Sequence, residues 1–201
     1  VNGQADGNAG PFRDEGKYMA PDAKEPVKLY RGDGDIIWRF DMIADLENAP
    51  HDATNCNILI HGDLLYVNTS NGVHRIPGEA DPRPDAPTLI VLDKKTGKLV
   101  AQDGCLIGRR MFHGNWSSPS LGKVAGKEQI FLGGGDGFLY AFSPVKPDPK
   151  AKKPAVFKSI WKFDCNPASY KVDKNGDKLD FWDGDASRAD VPHNYKGPNS
   201  I

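Results

Sequence analysis

The stretch Leu89-Ile90-Val91-Leu92-Asp93-Lys94-Lys95-Thr96-Gly97-Lys98-Leu99 reads as an apolar strand, a tight turn and the start of a second strand. Its aliphatic run is too short for a buried helix and is bounded by turn residues on both sides, the pattern of a strand buried on both faces. Working outward, the same order recurs. Gln129-Ile130-Phe131-Leu132 is followed by Gly133-Gly134-Gly135-Asp136-Gly137, then by Phe138-Leu139-Tyr140-Ala141-Phe142 and by Ile160-Trp161-Lys162-Phe163-Asp164. Upstream, Val27-Lys28-Leu29-Tyr30, Arg31-Gly32-Asp33-Gly34 and Ile36-Ile37-Trp38-Arg39-Phe40-Asp41 form a further copy. The copies superpose on Trp38, Ala101 and Trp161, roughly 60 residues apart, and a fixed period marks a repeat architecture.

A unit of that size, made of short Val-, Ile-, Leu- and aromatic-rich strands, fits one four-stranded antiparallel blade of a β-propeller with loop insertions. Strands are expected near 56–61, 64–69, 88–93 and 98–102, and again near 117–121, 129–133, 138–143 and 157–164. The fold class is therefore all-β, part of a β-propeller and not a closed ring. The expected division is the end of one blade in 1–43, a blade in 56–102, a second in 117–164, and a linker with the start of the next blade in 165–201. Two whole blades between two incomplete ones cannot close, so the chain reads as a piece of a longer protein. Uncovered blade faces are expected to make residues 1–201, expressed alone, self-associate or fold only in part.

The stretches 89–99 and 135–142 resemble the pyrroloquinoline-quinone (PQQ) repeat, in which a short apolar strand, Asp and a Thr-Gly turn lead to a strand ending in Trp. Trp38 and Trp161 match that Trp and Ala101 departs from it. Trp38 and Trp161 are accordingly expected to be buried where blades dock, with Ala101 leaving a gap or lying under another side chain. The chain is also similar to exported bacterial PQQ-like propeller proteins, notably through His113-Gly114-Asn115-Trp116-Ser117-Ser118-Pro119-Ser120. The resemblance implies a periplasmic or extracellular protein. It does not imply that PQQ is bound, since fold and function separate readily.

Bulk properties narrow the partners. Hydrophobic residues make up 38% and charged residues 26%, as in globular proteins generally. Basic and acidic residues number 26 and 27, for a net charge of −1, which offers nucleic acid no electrostatic footprint. Glycine (22) and proline (16) are abundant, favouring short strands joined by turns. No stretch is long and apolar enough for a transmembrane segment, and the residues after Val1 carry no signal-peptide pattern. The three cysteines, Cys56, Cys105 and Cys165, show no Cys-x-x-Cys spacing, and their disulfide state is left open.

Successive strands of a blade reverse direction, so alternate connections emerge on one face. That face receives the long segments 2–26, 42–55, 70–87, 103–116 and 165–198, whereas the opposite face receives short turns and the Pro/Lys insertion near 144–156. Long loops on a rigid scaffold are the usual seat of binding residues. His51, His113 and His193 recur there, each a few residues before an innermost strand, with Trp116 beside the second. They are the candidate ligand-binding residues, because neutral imidazole serves as metal ligand or acid/base. The alternative is that each ring plugs its own loop. Asp173, Asn175 and Asp177 have the alternate spacing of a calcium loop, yet Lys178 stands where the glycine belongs, and Asn175-Gly176 reads better as a hairpin turn. Gly133–Gly137 lacks the Lys-Ser/Thr of a phosphate loop and reads as a strand-to-strand turn. No metal or cofactor is assigned, and no catalytic set. The leading expectation is a non-catalytic module binding a protein or small-molecule ligand on the long-loop face. The alternative is part of an exported PQQ-dependent oxidoreductase, with PQQ and calcium held by the parent protein.

Overall fold

The computed structural model describes residues 15–19, 23–30, 36–50, 56–72, 83–111, 114–170, 172 and 175–177. The chain divides into two units, one of Val1–Phe40 with Lys94–Lys98 and one of Asp41–Asp93 with Leu99–Ile201.

In the first unit, α1 (Gly16–Met19) is a single helical turn. Glu15 is buried just before it, and its Oε1 accepts from Ile36 N at 2.8 Å. The Arg39 guanidinium lies 4.8 Å from the Tyr18 ring centroid. Trp38 donates from Nε1 to Lys94 O at 2.9 Å. Its ring lies over Gly97 so closely that a Cβ there would come within 2.4 Å of it; Gly97 also has φ +70°. Trp38 is thus half-buried on the Thr-Gly turn rather than fully buried. The upstream copy of the repeat, read as the end of a blade with strands at 27–30 and 35–41, forms no strand among its described residues. An extended segment becomes a strand only when a partner takes up its backbone groups.

The second unit is all-β apart from short helical turns. Asp41 caps α2 (Met42–Leu46), its carboxylate accepting from Ile43 N and Ala44 N at 3.0 Å each. The first sheet holds β1 (Leu59–His61), β2 (Leu64–Asn68), β3 (Leu89–Asp93) and β4 (Leu99–Asp103), an antiparallel meander in chain order. The second holds β5 (Ser120–Val124), β6 (Lys127–Gly133), β7 (Phe138–Phe142) and β9 (Trp161–Asp164), likewise an antiparallel meander. One core joins them. Leu64, Tyr66, Leu89 and Val91 from the first sheet cluster with Ile130, Leu132, Tyr140 and Phe142 from the second, and with Ile107 and Met111 between the sheets in sequence. Tyr66 OH accepts from Val145 N at 2.8 Å.

The expected strand at 157–164 is instead two. β8 (Ala155–Phe157) leaves the second sheet and pairs in parallel with β4, with Ala101 opposite Ala155 and Asp103 opposite Phe157. Only Trp161–Asp164 pairs with β7. Ala101 is fully buried in the core cluster, on a strand whose outer neighbour is this fifth strand. Trp161 departs from its expected burial. It is 37% exposed and packs on its own sheet, 5.8 Å from the Phe131 ring, with Nε1 donating to Gln129 Oε1 at 3.0 Å.

Candidate functional site

Three connections of the second unit converge at one end of its sheets: β2 to β3, β4 to β5, and the β6–β7 turn. Buried polar side chains knit them together. Asn68 Oδ1 accepts from Ser70 N at 3.0 Å, an Asx turn that carries Ser70 at φ 53°. Its Nδ2 donates to Ser117 O at 2.7 Å. Thr69 Oγ1 donates to Pro87 O at 2.8 Å. Asn71 accepts from Ala49 N through Oδ1 at 3.2 Å and donates to Arg83 O through Nδ2 at 2.9 Å. Asn48 donates to Thr69 O at 3.0 Å, while its buried Oδ1 has no partner among the described residues.

Asn115 stands at the junction of the three connections. Its Nδ2 donates to Asn71 O and Thr88 Oγ1 at 3.4 and 3.3 Å, and its Oδ1 accepts from Gly135 N at 2.7 Å. Gly114 and Gly72 form a β-bridge beside it. Gly135 approaches so closely that a Cβ would meet Gly114 O at 2.2 Å, which explains one glycine of the 133–137 run. That run is the tight turn expected, with Gly137 N donating to Gly134 O at 2.9 Å.

Two carboxylates anchor the ends of strands. Asp103 accepts from Thr88 N and Leu89 N at 2.7 Å each and from Cys105 N at 2.9 Å. Burial pushes its carboxyl up, against the pull of these backbone donors and of Arg110. Asp136, fully buried, accepts from Tyr140 OH at 2.5 Å and Arg110 Nε at 3.0 Å. Burial raises its carboxyl too, opposed by Tyr140 and Arg110. The Tyr140 hydroxyl is pushed up by burial and by the adjacent Asp136. Arg110 also donates to Cys105 O at 3.0 Å and Tyr140 OH at 2.8 Å. These groups are hydrogen-bonded to one another and to backbone, so the network holds the loops in place.

Of the residues singled out from sequence, His51, His113, His193 and Asp173 lie outside the described residues. Trp116 is half-buried, 3.0 Å from where a Gly114 Cβ would stand. Asn175 and Asp177 are exposed, and Gly176 has φ +88°, the left-handed region that favours glycine. Among the described residues no group of three or more His, Cys, Asp or Glu side chains could hold a metal ion. The three cysteines are free thiols, and burial pushes those of Cys56 and Cys105 up. No helix among the described residues is long and apolar enough to cross a membrane.

Asn68, Asn71, Asn115, Asp103 and Asp136 were not legible as a set. The available signal was Asn or Asp at strand ends beside Gly, Ser or Thr, where short polar side chains bond to nearby backbone. Comparison of the chain with protein-family models, curated proteins and solved structures gives no match.

Proposed function

We propose that the two meanders are blades of a PQQ-like β-propeller, 56–102 and 117–164, serving as a non-catalytic module of an exported protein. It binds a protein or small-molecule ligand at the end where the long connections converge. The observation that carries this reading is Asn115, which ties the three connections into one surface through Asn71, Thr88 and Gly135. A surface held by buried hydrogen bonds loses little entropy when a ligand settles on it. His51, His113, His193 and Trp116 are the proposed ligand-facing residues of these connections, and Trp38 and Trp161 the positions where further blades dock.

The test is a thermal-shift screen of the 201-residue chain against peptides, sugars and PQQ with calcium. The expected result is a ligand whose stabilisation is lost in Trp116→Ala and His113→Ala yet kept in Trp161→Ala. Stabilisation by PQQ with calcium, together with dye reduction, would favour the oxidoreductase reading instead. Ligands whose effect survives every loop-end substitution would reject this surface.

A further inference from the structure

The link between β7 and β9 is far longer than its task demands. The two strands are antiparallel neighbours, and Ile160 N already donates to Ala141 O at 2.8 Å beside the Ala141–Trp161 pair. A tight turn would join them. The chain instead runs out through Ser143–Pro154 and lays β8 along the outer edge of β4.

The seat that β8 occupies is shaped for a strand. Asp103 is in register with Phe157, and Gly104 N donates to Phe157 O at 2.8 Å. A Cβ on Gly104 would come within 2.7 Å of Val156 Cγ1, so the glycine leaves room for the Val156 side chain. Phe157 meets the buried Phe142 ring edge-on at 5.3 Å. Ser159 N donates to Cys105 Sγ at 3.4 Å just beyond. The occupant itself is held lightly. It spans three residues, it is the single parallel strand among those of the described residues, and Val156 is 65% exposed. The one half-buried side chain of β8 is Phe157.

We infer that the outer edge of β4 is a peptide-binding seat, closed in cis by β8 acting as an exchangeable strap. Its partner is an extended segment that adds as a parallel strand, with a small residue opposite Ala101 and an aromatic residue opposite Asp103. Strand addition draws affinity from backbone hydrogen bonds and specificity from alternate side chains, here the aromatic one. This seat adjoins the loop-end network through Asp103 and Cys105, but a peptide added along β4 is read without any loop-end ligand.

A labelled peptide of residues 152–159, Lys-Lys-Pro-Ala-Val-Phe-Lys-Ser, tests the seat in trans. Strand alternation points the Ala155 N–H toward β4, on the side that Phe157 O uses, so Ala155→Pro in the full 201-residue chain removes a donor and releases the strap. The peptide is expected to bind that variant at least about tenfold more tightly than the unaltered chain, since release removes the cis competitor. Replacing the peptide's Phe by Ser is expected to abolish binding. Equal affinity for both chains, no binding to the variant, or indifference to the Phe would overturn the inference. Hydrogen exchange on the unaltered chain covers the case in which the variant does not fold. The β8 amides are expected to exchange by local opening, well ahead of those of β3. Exchange of β8 at the rate of β3 would show a strand that never leaves, and would equally overturn it.

Discussion

Ala101 and Trp161 stand at matching places on the fourth strands of the two meanders, Ala101 opposite Val91 and Trp161 opposite Ala141. Ala101 is fully buried in the core cluster with β8 paired along the outer edge of its strand, whereas Trp161 is 37% exposed and shields its own sheet by lying on Phe131. β4 has a neighbouring strand on both edges, whereas β9 is the last strand of its sheet, where Trp161 packs on Phe131. The first sheet is therefore closed by a borrowed strand, and the second carries its protection in a side chain.

The comparison breaks most severely at Ala101→Trp. The indole has no room in the core cluster around Ala101, and the substitution is expected to cost about 3 kcal/mol by overpacking, read from chemical denaturation. Hydrogen exchange should show β8 released at the same time. Phe157→Ala removes the strap's anchor on Phe142 and is expected to cost about 2 kcal/mol, less than a fully buried Phe because the ring is half-exposed. If Phe157→Ala proved neutral, β8 would be decoration on the edge of β4. Trp161→Ala removes one aromatic pair and a side-chain hydrogen bond from a partly wet site, an expected loss of about 1 kcal/mol in the same assay.

Asp103 contrasts the sheets in another way, since it anchors the end of β4 through backbone donors while Asp136 relies on Arg110 and Tyr140. Burial raises the Asp103 carboxyl in the folded state, so the native fold holds its proton more tightly than the unfolded chain does. Its contribution is then fullest below the unfolded carboxyl pKa and is lost as pH rises through the folded one. The stability of Asp103→Asn relative to the parent is expected to improve from about pH 4 upward, the region above the ordinary Asp pKa. The opposite slope would mean that the three N–H donors outweigh burial. The smallest stability effect belongs to Phe163→Lys on β9, where the ring is 63% exposed. Stability should shift by less than about 0.5 kcal/mol, as for most surface changes. Self-association of the chain, followed by light scattering, should nevertheless fall, because a charge on an edge strand opposes strand-to-strand pairing.

The strands around Leu64–Asn68, Leu89–Asp93 and Phe138–Phe142 were readable because apolar, β-prone runs end at Asn-, Thr-Gly- or Gly-rich turns, a signal confined to neighbours in the chain. The Gly133–Gly137 turn was readable for the same reason. β8 was not, because Ala155-Val156-Phe157 carries no mark of which sheet it will join. The asparagine network was not, because Asn115 finds Asn71 and Gly135 only after two sheets have packed.

The sequence by itself determined the all-β character and the antiparallel meanders, since adjacent strands and tight turns follow from local propensity and short loop closure. Tertiary structure alone decided the fifth strand on the first sheet, the partial exposure of Trp161, and the loops held together through Asn115. Each of these depends on groups distant in sequence meeting at a packed surface, where burial and hydrogen-bond satisfaction are settled by neighbours that the local sequence does not name.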